Sequence, residues 1–489
     1  MSTERGRFLG GVFFVGVVAL IFPPPQFLAA TESGAASAAH ADPVAPILLA
    51  LMLIALGAAL GGRWMSRLGQ AAVLGELLVG VLVANLGFYF GQPTLTILRE
   101  GETIRNITAI AFQQSVTLAQ AAHLALPPGP HADSLAAILA TPAGLNAVSV
   151  YGFVDPLARI AVIVLLFLVG LETSVSEMRQ VGKASFFVAV TGVVAPFLLG
   201  LGAMAWLTPQ SSLARDLFIG GILTATSVGI TARVLRDLHQ AQRTEAKIIL
   251  GAAVIDDVLG LLVLAVVSAL VVAGRVSVTD IAVIALKALL FLAGSIWIGL
   301  RVTPHLVKRL ARLEMKNFRL LFGMGFAFAL SWLANWAGLA PIVGAFAAGL
   351  VLGEFFLSEM EGKHSLRELL SPLESLIVPV FFVLMGMQVK LEAFAELRVI
   401  GIAAALTGVA IAGKVVAGLA CSRKVSRLGV GIGMMPRGEV GLIFAGIGKG
   451  LGVVDDAIFS AVVIMVMITT LLTPPLLKAA LKPQPSPAE

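Results

Sequence analysis

Of 489 residues, 58% are hydrophobic and only 13% charged, and the mean hydropathy is +0.97. A soluble globular domain carries about 25% charged residues, so this composition excludes one and describes an all-α polytopic membrane protein. A single cysteine, Cys421, excludes intramolecular disulfides, and the net charge of +6 reads as loop bias rather than nucleic-acid affinity.

At the N-terminus, Arg5 and Arg7 precede a short apolar run, Phe8 to Phe22, and then proline and small residues up to Ala39-His40-Ala41. This pattern predicts a signal peptide over 1–41; the alternative is an uncleaved first helix. Apolar stretches long enough to cross a bilayer then follow at 44–62, 70–88, 154–173, 184–207, 215–235, 246–273, 279–300, 319–337, 340–356, 372–389, 396–420, 427–448 and 454–476. They amount to about thirteen spans. Basic residues gather in alternate loops, among them Arg63/Arg67, Arg233/Arg236/Arg243/Lys247, Arg301/Lys308/Arg309/Arg312/Lys316 and Arg423/Lys424/Arg427. Those loops face the cytoplasm by the positive-inside rule, which puts the mature N-terminus outside and a short tail, 477–489, inside. Between spans two and three, residues 89–153 form an extracytoplasmic insertion with Pro127-Pro128 and Gly129-Pro130 and few basic residues. The six histidines fall outside the spans, which argues against a haem or metal site built on them.

Two stretches resemble two others. Val73-Leu74-Gly75-Glu76 to Gly80, ending at Asn85-Leu86-Gly87, echoes Ile342-Val343-Gly344 to Gly349 and Leu352-Gly353-Glu354; Phe167 to Glu172 echoes Phe382 to Met387. The offset of seven spans is odd, so corresponding helices cross in opposite directions, as in the inverted repeats of secondary transporters. Applied to the fifth span, with Thr224-Ala225-Thr226-Ser227, the offset leads to the twelfth, with Gly433-Met434-Met435-Pro436-Arg437-Gly438-Glu439. Both are candidates for interruption. Pro436 cannot donate to Ile432, and the surrounding glycines ease unwinding, which membranes tolerate only beside a cavity or inside protein. The hydroxyls of Thr224, Thr226 and Ser227 either serve freed carbonyls or a cation, or bond back to their own helix. Arg437 and Glu439 suit compensation of half-helix dipoles.

Asp256 and Asp257 interrupt the apolar run 248–273, and Lys414 lies equally deep in the eleventh span. A carboxylate near a bilayer centre costs roughly 2.5 to 3.5 kcal/mol on insertion scales, so the pair demands a partner or a task. Neighbouring helical residues diverge by about 100°, so one aspartate pairs with Lys414 and the other faces the broken helices. Glu76 and Lys287 are shallower and read as packing or snorkelling residues.

Over about residues 44–476, these motifs resemble the monovalent cation:proton antiporter superfamily, in particular the bacterial NapA-type sodium/proton antiporters, with the Kef potassium transporters as relatives. The resemblance implies an NhaA/NapA-like fold with two crossing broken helices. It implies scaffold and dimer helices at 44–173 and 319–389, core helices at 184–273 and 396–476, and a connector at 279–300. It further implies electrogenic Na⁺/H⁺ exchange by an elevator mechanism serving pH homeostasis, with Asp257 as the Na⁺ and proton carrier and Asp256 as the partner of Lys414. No cofactor is implied beyond the transported cation and H⁺. The expected partners are the lipid bilayer of a bacterial inner membrane and a second copy in a homodimer. K⁺/H⁺ exchange, a Kef-like K⁺ efflux channel and a sodium-coupled organic solute symporter are the alternatives.

Overall fold

In hydrocarbon a backbone must satisfy its own polar groups, and an α-helix does so within a single segment. The structure, a computed structural model, describes residues 42, 44–172, 182–227, 231–232, 235, 240, 243–273, 278–311, 318–359 and 365–481. The proposed signal peptide, the basic loops around Arg233/Arg236 and Arg312/Lys316, and the end of the C-terminal tail lie outside these residues, as does the side chain of Glu439.

Eighteen α-helices and no strand occur among the described residues. In order they are α1 (Ala45–Arg67), α2 (Ala72–Tyr89), α3 (Pro93–Glu100), α4 (Glu102–Gln114), α5 (Leu118–Ala125), α6 (Pro130–Leu139), α7 (Pro142–Glu172), α8 (Lys183–Leu207) and α9 (Leu213–Ile222). There follow α10 (Thr244–Ala273), α11 (Val278–Ala311), α12 (Phe318–Trp336), α13 (Pro341–Glu359), α14 (Leu366–Met387), α15 (Leu397–Ala417), α16 (Arg427–Gly433), α17 (Glu439–Gly450) and α18 (Asp456–Ala480).

Ten of these helices are long and apolar enough to span a bilayer: α1, α2, α7, α8, α10, α11, α12, α14, α15 and α18. The other expected spans differ for local reasons. In α13 the apolar part, Pro341–Gly353, is shorter than a full span, and the stretches at 215–235 and 427–448 each contain a break. The third expected span begins earlier than hydropathy alone suggests, because helical structure in α7 extends back to Pro142 beyond the apolar run. The expected insertion is helical too. Pro93 and Pro130 open α3 and α6 at positions where a missing N–H costs nothing, and Thr117 and Gln120 form a reciprocal capping box on α5.

Large apolar side chains cover the outer surface as well as fill the interior. All five tryptophans are exposed, Trp206 and Trp336 by about four-fifths, as expected where helices face lipid and its interface. Lys287 is exposed on α11, in keeping with snorkelling, and Glu76 is half-buried on α2.

The chain divides into two compact units. The first comprises residues up to Gly61, Glu76–Leu157 and Phe382–Gln388. Here α2 and the end of α14 approach backbone to backbone: a Cβ on Gly80 would lie 2.1 Å from the Val383 carbonyl, and one on Gly386 2.2 Å from that of Leu77. Buried Arg99 ties α3 to α2, donating from Nε to Asn85 Oδ1 at 3.3 Å with its guanidinium 4.1 Å above the Phe88 ring.

The second unit comprises Gly62–Gly75, Ala158–Phe381 and residues from Val389. Within it α7 and α13 meet in the same way: a Cβ on Gly170 would lie 2.3 Å from the Phe346 carbonyl, and one on Gly349 2.2 Å from that of Phe167. In the repeat read from the sequence Gly80 matches Gly349, and the segment 167–172 on α7 matches 382–387 on α14. Each close approach joins a helix from one half of the sequence repeat to a helix from the other. At one end of the second unit, Asp456 receives Lys390 and Lys449, both at 2.7 Å, which fastens the segment after α14 and the end of α17 to the start of α18.

Candidate ion-binding site

The two interrupted spans lie side by side. After α9 stops at Ile222 the chain leaves helical structure from Ala225 to Ser227, and after α16 stops at Gly433 it does so from Met435 to Gly438. Helix breaks leave carbonyls and amides without intrahelical partners, and burying them unpaired is costly. Here each break serves the other. Ser227 N donates to Pro436 O at 2.9 Å, Thr226 Oγ1 to Met434 O at 3.4 Å, and Thr231 Oγ1 to Gly433 O at 2.6 Å. Thr224 instead bonds back to Gly221 O at 2.8 Å. The two outcomes anticipated for the hydroxyls are thus divided between residues, and all three side chains are buried.

Arg437, fully buried, reaches across the crossing. Nη1 donates to the carbonyls of Thr224, at 3.2 Å, and Ala225, and Nη2 donates to Ala410 O at 3.3 Å. The first two carbonyls lie just past the C-terminal end of α9, where the helix dipole concentrates negative potential. The carbonyl of Arg437 itself accepts from Thr470 Oγ1 on α18. Ala410 and Thr470 are partners that sequence reasoning missed. A backbone acceptor carries no sequence signal, whereas Thr469, Thr470 and Thr473 do form a visible hydroxyl cluster in an otherwise apolar span.

On α10, Asp256 is 1% exposed and Asp257, about 100° further round the helix, is partly exposed. Lys414, with no exposed surface, donates from Nζ to Asp256 Oδ1 at 2.9 Å. Asp256 Oδ2 is buried and accepts no hydrogen bond from the described residues. Small residues create this geometry. A Cβ on Gly413 would lie 2.7 Å from Pro196 Cα, so glycine lets α15 close on α8, and one on Gly192 would lie 3.4 Å from the Lys414 ammonium. The break in α9 is one turn away along α10, since a Cβ on Gly260 would touch Thr224 Oγ1 at 3.8 Å. Asp256, Lys414, Arg437, Pro436 and the three hydroxyl residues thus gather around one crossing. The arrangement offers a carboxylate pair, two buried cations, Lys414 and Arg437, and unwound backbone in a largely dehydrated interior.

Such a set can exchange a small cation for protons, and comparisons with known proteins bear on that chemistry. A family model described as the transmembrane sodium/hydrogen exchanger matches residues 50–482. The chain is 37% identical over 444 residues to the high-affinity Na⁺/H⁺ antiporter NhaS3 of Synechocystis sp., spanning 89% of this chain and 90% of that one. It is 31% identical over 438 residues to the Na⁺/H⁺-K⁺ antiporter GerN of Bacillus cereus, spanning 88% and 94%. Among solved structures it is similar to the sodium proton antiporter MjNhaP1 of Methanocaldococcus jannaschii, with a TM-score of 0.57 over 90% of this chain and 97% of that one. At 16% identity that last likeness is one of fold. With the family model covering most of its length, the chain belongs to the sodium/hydrogen exchanger family.

Proposed function

We propose that this protein exchanges Na⁺ for H⁺ across the membrane, with Asp257 as the carboxylate that holds either ion in turn. The observation that carries the reading is the buried Lys414–Asp256 pair, 2.9 Å long, placed one residue from Asp257 and beside the crossing of two interrupted spans. A carboxylate accepts a proton or a cation but not both at once, so competition at Asp257 alone couples the two fluxes. Asp256 Oδ2 is a further acceptor for the cation. When Na⁺ engages Asp256, the ammonium of Lys414 loses its counter-charge in a medium where an unpaired cation is costly, and it gives up a proton. With the proton displaced from Asp257, two protons then move for each Na⁺, and the exchange carries net charge.

The core helices, 184–273 and 396–476, move against the scaffold helices, 44–173 and 319–389, to present the site to either face. The protein works as a homodimer in a bacterial inner membrane, with its mature N-terminus outside and its C-terminus in the cytoplasm. Potassium is the second cation to consider, because the similar GerN is a Na⁺/H⁺-K⁺ antiporter.

The test uses purified protein in proteoliposomes, with internal pH followed after pulses of Na⁺, Li⁺ or K⁺ at imposed membrane potentials. Na⁺-dependent proton movement that accelerates with potential is expected, as is loss of that sensitivity in Lys414→Ala. Cation flux without proton flux indicates a channel. Na⁺-dependent uptake of an organic solute indicates a symporter.

A further inference from the structure

Helices α11 and α12 each pack closely on α13: a Cβ on Gly299 would lie 2.7 Å from Val351, and one on Gly344 2.1 Å from the Leu330 carbonyl. They touch each other far less. The space between them is a groove of about 360 Å³ walled by Leu290, Ile298 and Val302 on α11 and by Leu330, Leu333 and Trp336 on α12. Toward one end it is lined by Thr303, which is fully buried and whose hydroxyl makes no hydrogen bond to the described residues. A buried helical threonine ordinarily returns its proton to the carbonyl four residues back, as Thr407, Thr469 and Thr473 do here. Thr303 retains a donor for something else.

Just beyond, Arg301, His305 and Arg309 are exposed, and the helical repeat puts all three on the face that carries Ile298 and Val302. The Arg301 guanidinium lies 4.4 Å above the Trp297 ring, and His305 Nδ1 is 2.9 Å from the Arg301 carbonyl, which leaves Nε2 for another partner. Along α11 the order is therefore an apolar channel, a hydroxyl donor, then a cluster of basic groups. Trp297 and Trp336, 59% and 79% exposed, mark this as a lipid-facing surface, so an occupant arrives from the bilayer. A diacyl glycerophospholipid presents the complementary order of acyl chain, ester carbonyl and phosphate.

We propose that the α11–α12 groove binds an anionic glycerophospholipid, with one acyl chain along the groove, an ester carbonyl accepting from Thr303, and the headgroup phosphate at Arg301 and Arg309. The site is separate from the aspartate pair, and its occupancy is read without transport. Native mass spectrometry of the purified full-length chain, titrated with palmitoyl-oleoyl phosphatidylglycerol or phosphatidylcholine, measures retention of each lipid. Phosphatidylglycerol should be retained about 25-fold more strongly, and Arg301→Gln and Arg309→Gln should each weaken it about fivefold while leaving phosphatidylcholine unchanged. Gly294 lines the groove and has open space around its Cβ position, so Gly294→Leu fills the channel without strain and should weaken retention of both lipids. Equal retention of the two lipids by the unmodified protein overturns the proposal. So does undiminished phosphatidylglycerol retention in Gly294→Leu; if a dimeric species disappears in that variant as well, the groove is instead an interface between two copies of the chain.

Discussion

Removing the ammonium of Lys414 leaves Asp256 as a carboxylate with 1% of its surface exposed and its counter-charge gone. At 2.9 Å the pair attracts by about 6 kcal/mol for an effective dielectric near 20, much of it offset by the desolvation of both ions. Deleting one member loses the attraction but keeps the other's desolvation, at a cost of about 3 to 5 kcal/mol. For a chain of 489 residues this corresponds to a fall of about 3 to 5 °C in melting temperature. The molecule carries its own reporter. Cys421, the single cysteine, is 2% exposed against Ala417 and Val430, and burial pushes its thiol pKa up, so a thiol-reactive dye labels it only when this region opens. Lys414→Ala should label at the lower temperature. Asp256→Asn combined with Lys414→Met removes both charges and should recover most of the loss, giving a coupling of about 2 kcal/mol or more. A Lys414→Ala protein that melts with the unmodified one, or a double variant as unstable as the summed singles, refutes a direct buried pair.

Arg437→Lys should cost about 2 to 4 kcal/mol, because an ammonium cannot span the carbonyls of Thr224, Ala225 and Ala410 that the guanidinium forks across. The Cys421 melting assay reads it, and a melting temperature equal to that of the unmodified protein counts against Arg437 as the clamp of the crossing. Gly349→Val places its Cβ 2.2 Å from the Phe167 carbonyl and should lower the yield of folded protein severely, beyond the 1 to 3 kcal/mol typical of overpacking. Gly294→Leu, whose Cβ meets nothing within 4 Å, is its control in the same expression and melting assays, and equal behaviour of the two variants contradicts the close helix approach.

Much of the fold was legible because the bilayer imposes it. Hydropathy located most of the long helices, and Pro436 with its flanking glycines marked a break that the backbone displays at 435–438. The repeat signal rested on glycines, and those glycines are where helices meet closely enough to forbid a side chain. Hydropathy failed where a helix outruns its apolar segment, as α7 does before residue 154, and where an insertion is helical without being apolar, as in α3 to α6. At the site, Lys414 could be paired with one of the two aspartates from shared depth and opposite charge, since a buried charge seeks its complement, while the choice of Asp256 came from the family resemblance. The contacts of Arg437 could not be anticipated, because main-chain carbonyls exposed by an unwound segment leave no trace in residue type. Nor could Gly192, whose contribution is the room it leaves beside Lys414.

Whether Asp257 is the exchangeable site is tested most directly by Na⁺-driven proton flux in proteoliposomes holding Asp257→Asn, with Asp257→Glu beside it. An amide of the same shape can coordinate weakly but cannot cycle a proton. The account therefore predicts no Na⁺-induced pH change for the asparagine variant, at an unchanged Cys421 melting temperature, and measurable exchange for the glutamate variant. Na⁺/H⁺ exchange at the unmodified rate in Asp257→Asn would contradict it.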